Sequence, residues 1–255
     1  MNASRKIVVI GGTGLIGSKA VALLRDAGHD VYAASPATGV DTITGEGLDR
    51  ALSGADIVID VSNIGSMDGD VVRTFFETSG RNLLAAEERA KVRHHVTLSI
   101  VGTDGLPGNG YLRAKVAQED LVRTSGVPHT IVRATQFFEF IPSLADAYTQ
   151  GGTIRVPDCL FQPIAAGDVA AALVEVALGQ PRNATVEVAG PERGPFKEIV
   201  RRYLHLSGDG RPVESDPAAG YFGASVDSLS LVPRSTARLG PIGMDAWFNR
   251  NVAVV

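Results

Sequence analysis

Apolar positions along this chain alternate between two rhythms. Short, nearly unbroken runs at Ile7–Ile10, Asp30–Ser35, Ala55–Ser62, Val96–Val101 and Val127–Ala134 have the length and continuity of strands covered on both faces. Between them the apolar residues recur every three or four positions. Leu15, Ile16, Ala20, Leu23 and Leu24 define a first helix that Gly28 ends. Val72, Phe75, Phe76, Leu83, Ala86 and Ala90 give the buried stripe of a long helix over Val72–Ala90, with Glu87, Glu88, Arg89 and Lys91 expected in solvent. Another helix starts at Tyr111 (YLRAKVAQEDLVRTSG) and closes at Gly126. Val40–Ile43 reads as a short strand and Leu48–Leu52 as a brief helix. This alternation predicts an α/β fold: a doubly wound parallel sheet with right-handed crossovers and helices on both faces.

From about Gly151 the rhythm changes. Thr153–Val156, Leu160–Ile164 and Thr185–Ala189 read as strands, Val169–Leu178 as a helix capped by Asp168, and Phe196–Leu206 as an amphipathic helix. Beyond lies a Gly-, Pro- and Ser-rich stretch of weak periodicity that contains Tyr221, Phe222 and Trp247. Residues 1–255 therefore read as a single domain, those from about 151 onward adding a small C-terminal lobe on the substrate side.

Composition narrows the field. A length of 255 residues with 44% hydrophobic side chains allows a sizeable core. A net charge of −4 offers no basic field for nucleic acid or an anionic membrane. No apolar run approaches the roughly 18 residues of a membrane span, and the first strand begins too early for a secretory leader, so a cytoplasmic protein is expected. The lone Cys159 excludes an intramolecular disulfide and reads as a half-buried structural thiol. His94 and His95 invite thoughts of a metal, but neighbours in a strand face opposite ways, and one surface and one core histidine are expected. No metal site and no oligomeric state can be read.

The chemistry concentrates at Gly11-Gly12-Thr13-Gly14-Leu15-Ile16-Gly17, between the first strand and the first helix. A diphosphate must lie against bare backbone there, and the helix start offers free N–H groups and positive dipole. The end of the second strand, Ser35, meets the adenosine ribose in such folds. An acidic residue there selects NAD; its absence, with Ser35 and Thr38 hydroxyls nearby, favours NADP without excluding NAD. Asp41 is placed at the adenine edge, and Ser62 and Asn63 at the carboxyl end of a central strand, where open sheets bind ligands. Tyr111 and Lys115 lie one helical turn apart on one face, with Ser99 twelve residues upstream. Lys115 would favour the phenolate, Tyr111 would protonate a carbonyl oxygen, and Ser99 would steady that oxygen.

The chain resembles the short-chain dehydrogenase/reductase superfamily, and within it the atypical, NmrA-like branch of NAD(P)-binding Rossmann proteins. The residues that carry the resemblance are the glycine turn, Ser99, Tyr111-Leu-Arg-Ala-Lys115, Thr130-Ile-Val-Arg133 and Pro163-Ile-Ala-Ala-Gly-Asp168-Val-Ala. It implies that Gly11, Gly14 and Gly17 hold the pyrophosphate, that Lys115 holds the nicotinamide ribose, that Ser99, Tyr111 and Lys115 are catalytic, and that Gln136 and Phe137 line the nicotinamide pocket. The expected function is NAD(P)H-dependent reduction of a carbonyl or activated double bond on a small organic substrate. The alternative is a regulator that senses the cofactor without turnover. An epimerase or dehydratase of nucleotide sugars would need a longer substrate lobe.

Overall fold

A computed structural model describes residues 4–252. The chain runs β1 (Lys6–Ile10), α1 (Leu15–Asp26), β2 (Asp30–Ala34), α2 (Leu48–Leu52), β3 (Ile57–Asp60), α3 (Gly69–Ala90), β4 (His94–Ile100), α4 (Gly110–Thr124) and β5 (His129–Ala134). There follow α5 (Ile141–Ala147), β6 (Thr149–Gln150), β7 (Thr153–Pro157), β8 (Leu160–Phe161), α6 (Ala166–Leu178), β9 (Ala184–Ala189), β10 (Gly194–Pro195), α7 (Phe196–Ser207), β11 (Val213–Asp216), β12 (Arg238–Leu239) and α8 (Met244–Val252). A seven-stranded parallel sheet has the order β12-β9-β5-β4-β3-β1-β2. The winding reverses at β1, which pairs in parallel with β2 on one side and β3 on the other. In open α/β sheets the crevice at such a reversal, beyond the carboxyl ends of the strands, is where ligands bind.

Two compact units divide the chain. The first gathers the segment up to Ser99 with Gly110–Arg133 and Val169–Val186; the second takes Ile100–Asn109, Ala134–Asp168 and the chain from Glu187 onward. In the first unit Ile7, Val8 and Val9 of β1 are fully buried. Each such side chain contributes about 1.5–3 kcal/mol by leaving water. Val8 and Ile10 pack with Leu48, Leu52 and Leu83 of α2 and α3. In the second unit Phe161 and Phe196 stack at 4.2 Å, and Trp247 packs beside Phe138 while its indole N–H donates to Glu139. Among the described residues no helix is long and apolar enough to cross a membrane.

Several sequence expectations need correction. Val40–Ile43 is a turn, not a strand, because Asp41 draws it closed by accepting the N–H groups of Ile43 and Thr44. Both histidines are buried: His94 bonds Thr130 and His95 bonds Glu87 at 2.9 Å. They do point to different elements, but neither reaches solvent. Glu87, expected in water, is fully buried as the partner of His95. Asp168 lies inside the first turn of α6 and accepts the Ile242 N–H; the start of that helix is held instead by Glu139, which accepts the Ala166 N–H. Leu160–Ile164 shortens to the two residues of β8, with Ile164 bridging Phe137. The weakly periodic tail contains β11, β12 and α8. Cys159 is buried rather than half-buried, and burial pushes its thiol up to about 12, so it is inert at neutral pH.

Candidate active site

The glycine turn is built for close approach. Gly11 adopts φ +75°, and a Cβ there would stand 2.8 Å from the Val61 carbonyl oxygen at the exit of β3. A Cβ on Gly12 would meet Ala33 and the Val9 carbonyl oxygen at 2.7 Å, a constraint the spacing argument missed. A Cβ on Gly17 would fall onto the Gly11 carbonyl, so the third glycine lets α1 close onto the turn itself. Gly14 is the N-cap of α1, no side chain caps that end, and the first turn holds no acidic residue. The leading amides of a helix have no intrahelical partner. A bare cradle joined to an uncapped, acid-free helix start fits the pyrophosphate of a dinucleotide. Thr13, Gly14 and Leu15 are exposed at this mouth, while Ile16 and Gly17 are buried beneath it.

At the end of β2, Ser35 is buried and precedes a 3-10 turn, Pro36–Thr38. Thr38 is exposed, and its hydroxyl is already bonded to local backbone: it donates to the Ala33 carbonyl and accepts the Ser35 N–H. The cation at this turn is Arg50 of α2, whose guanidinium donates to the Gly39 carbonyl at 3.3 Å. Sequence reasoning missed it, since it lies beyond a loop and in a different element.

Where α3 and α4 begin, Gly69 and Gly110 touch backbone to backbone: a Cβ on either would sit 2.8 Å from the other's Cα. That contact brings the residue after Gly110 close to the β3 exit. The Tyr111 hydroxyl there donates to Asn63 Oδ1 at 2.8 Å. The same oxygen accepts the Ile64 N–H at 2.8 Å, which fixes the amide with its oxygen toward the phenol. Burial pushes the Tyr111 phenol up to about 12, and Asn63 lowers it only in part. The Tyr111 phenol is therefore held in its neutral form at neutral pH. The expected depression by Lys115 is absent from this arrangement.

Lys115 is committed elsewhere. Its ammonium donates to the Leu98 carbonyl at 2.7 Å and to Gln118 Oε1, and lies 4.4 Å above the ring of Phe76. Two of its N–H groups are thereby hydrogen-bonded, and the charge rests on the Phe76 ring face. Burial pulls Lys115 down to about 8, against the opposing fields of Asp60 and Glu119. Phe76 serves both residues, since its ring also meets the Tyr111 ring edge-on at 6.1 Å. Ser99 is sealed inside against the Glu119 carboxylate without a well-formed hydrogen bond. Ser62 stands at the β3 exit, where its N–H donates to Asp60. The structure thus joins Asn63 with Tyr111, and Lys115 with Leu98 and Gln118, but brings Ser99 to neither pair. Gln136 and Phe137 belong to the second unit. There the Gln136 side chain is buried with neither amide atom bonded, and Phe137 is partly exposed.

Comparison with known proteins identifies the family and the fold. A family described as NAD(P)H-binding matches residues 11–180. A (4-alkanoyl-5-oxo-2,5-dihydrofuran-3-yl)methyl phosphate reductase of Streptomyces griseus is 31% identical over 218 residues, covering 79% of this chain and 74% of that protein. Among solved structures, MoeE5 in complex with UDP-glucose and NAD superposes with TM-score 0.71 at 17% identity, over 97% of this chain and 99% of that one. The dTDP-4-dehydrorhamnose reductase of Bacillus anthracis, in complex with NADP, gives TM-score 0.66 at 16% identity over 89% and 90% of the two chains. At such identities the structures speak for the fold alone.

Proposed function

This chain belongs to the NAD(P)H-binding family, and from that premise we propose that it is an NAD(P)H-dependent reductase acting on the carbonyl or carbonyl-activated double bond of a small organic molecule. The observation that carries the reading is the neutral Tyr111 phenol, held by Asn63 at the strand exit against which the glycine turn packs. The backbone of Gly11–Gly17 and the first turn of α1 hold the pyrophosphate. Reduced nicotinamide, when bound, supplies the hydride. Tyr111 gives its Oη proton to the substrate oxygen as negative charge gathers there: a C–H bond forms at carbon, the π electrons move onto the oxygen, that oxygen takes the proton, and the Tyr111 phenolate regains one from water. For a conjugated substrate that oxygen belongs to the enol formed as hydride reaches the β-carbon; the enol then gives its proton to water as the α-carbon takes one, and the carbonyl re-forms. The Streptomyces griseus relative is named for a substrate whose ring double bond is conjugated with carbonyl groups, which favours this second form. Asn63 holds the phenol until substrate arrives. The buried Ser99 takes no part.

A preference for NADP is supported by the missing carboxylate after β2 and by Arg50 at the Gly39 turn. Arg50→Ala is expected to weaken NADPH about tenfold, roughly the 1.4 kcal/mol of one exposed charge-assisted bond, and to leave NADH unchanged in parallel calorimetric titrations. Equal loss for both would place the guanidinium away from the 2′-phosphate.

The hold of Leu98, Gln118 and Phe76 on the buried Lys115 favours a second reading, a cofactor sensor. Oxidation of NADPH by the purified protein over a panel of enones, butenolides, quinones and aldehydes separates the two. Sustained turnover supports the reductase. Tight binding with no turnover, and different affinities for oxidised and reduced cofactor, supports the sensor.

A further inference from the structure

Four groups in the first unit form one buried polar chain. Lys115 donates to Gln118 Oε1, Gln118 Nε2 donates to Asp60 Oδ2 at 2.9 Å, and Asp60 Oδ1 accepts the Ser62 N–H at 2.9 Å. The three side chains are 4%, 2% and 3% exposed, so no water substitutes for a missing link at low cost. The chain starts at the ammonium and ends in the backbone just before Asn63, which holds Tyr111. Its middle member must accept on one side and donate on the other, and a glutamine does both without carrying a charge or needing a proton from elsewhere. A carboxylate at the same place would face Asp60 as a like charge; an aliphatic group would leave both ions short of a partner.

We propose that Gln118 is a positioning residue: its amide holds the Lys115 ammonium in place and relays its charge to Asp60, so that one strut sets both the lysine and the β3 exit beneath the cofactor cradle. The part that concerns catalysis rests on the reductase reading; the part that concerns Lys115 stands on geometry alone. The groups that bear on Lys115 from each packed element are Asp60 of β3, Glu119 of its own helix, the Phe76 ring of α3 and the Leu98 carbonyl of β4. Glu87 of α3 and His95 of β4 form a separate buried pair that also feels Asp60.

The test follows Lys115 directly. With five lysines in the chain, the carbon-13 signals of their side chains can be assigned by the loss of one in Lys115→Met. Their titration is then read in the wild type, in Gln118→Glu and in Asp60→Asn, with no substrate present. A carboxylate beside the ammonium raises its hold on the proton, and loss of the Asp60 charge lowers it. The Lys115 midpoint is expected to move by about tenfold in proton affinity or more, upward in Gln118→Glu and downward in Asp60→Asn. NADPH turnover is measured across the same pH range. A moved midpoint with a turnover profile that follows it supports both the relay and the reductase. A moved midpoint in a protein that turns over nothing supports the relay and contradicts the reductase. A Lys115 midpoint that stays put in both folded variants overturns the relay, whatever turnover does.

Discussion

Gly17→Ala is expected to weaken dinucleotide binding by about a hundredfold or more, while Gly14→Ala changes it only a few-fold. The pair isolates one contact. Inside α1 alanine is the better helix former by about 1 kcal/mol, so propensity alone would stabilise Gly17→Ala, whereas at the Gly14 N-cap alanine is the poorer residue by about 1 kcal/mol or less. At Gly14 the new methyl meets only the Gly11 carbonyl oxygen, at 3.3 Å. At Gly17 it lands on that same carbonyl, with Gly12 Cα at 2.8 Å, and backbone cannot rotate aside as a side chain does. Relief of such overpacking costs about 1–3 kcal/mol and needs α1 to retreat from the turn. Retreat carries the leading amides of the helix away from the pyrophosphate. Bonds from amide to anion are each worth roughly 1.5–3 kcal/mol net, so losing even two passes the ~2.7 kcal/mol of a hundredfold change. Fluorescence titration with NADPH reads the affinity, and circular dichroism confirms that the fold survives. Equal affinities in the two variants would place the cofactor somewhere other than this turn.

Tyr111→Phe is expected to cut the turnover number by about a hundredfold to ten-thousandfold, the usual contribution of a positioned general acid, with NADPH affinity held within a few-fold. The ring stays, so its edge-on contact with Phe76 and the helix beneath it stay too. What leaves is one hydroxyl and its bond to Asn63. Because burial holds the phenol up at about 12, no alkaline loss of activity from Tyr111 itself is expected below that pH; an alkaline limb nearer 8 would belong to Lys115. Steady-state rates at saturating NADPH, together with a separate binding titration, check both halves. Undiminished turnover in the phenylalanine variant would remove Tyr111 from the chemistry.

Much of the scaffold could be read in advance because its signals are local. The apolar run of β1, the glycines after it and the helical spacing behind them lie within twenty-odd residues and name their own elements. Leu48–Leu52 proved a helix at those very bounds. The four-residue spacing of Tyr111 and Lys115 correctly placed both on α4. What spacing could not convey was where each side chain would be spent. Lys115 turned to Leu98 and Gln118, and Tyr111 to Asn63, forty-eight positions away, because Gly69 and Gly110 let two helix starts touch. Glu87 sits in a run of charges that reads as a wet surface, yet its partner His95 arrives from the next strand and both vanish into the core. Arg50 and Gly12 escaped for the same reason: their neighbours, Gly39 and Ala33, are contacts made by folding.

The central claim is that this chain moves hydride from a bound nicotinamide to a substrate while Tyr111 supplies the proton. It is tested most directly by one turnover with NADPH deuterated at its hydride-donating carbon, using whichever conjugated carbonyl compound of the panel is consumed. The account predicts one deuterium on carbon in the product and one equivalent of NADP released, at a rate that drops with Tyr111→Phe. Bound NADPH that stays reduced and keeps its deuterium in the presence of every compound of the panel would contradict it.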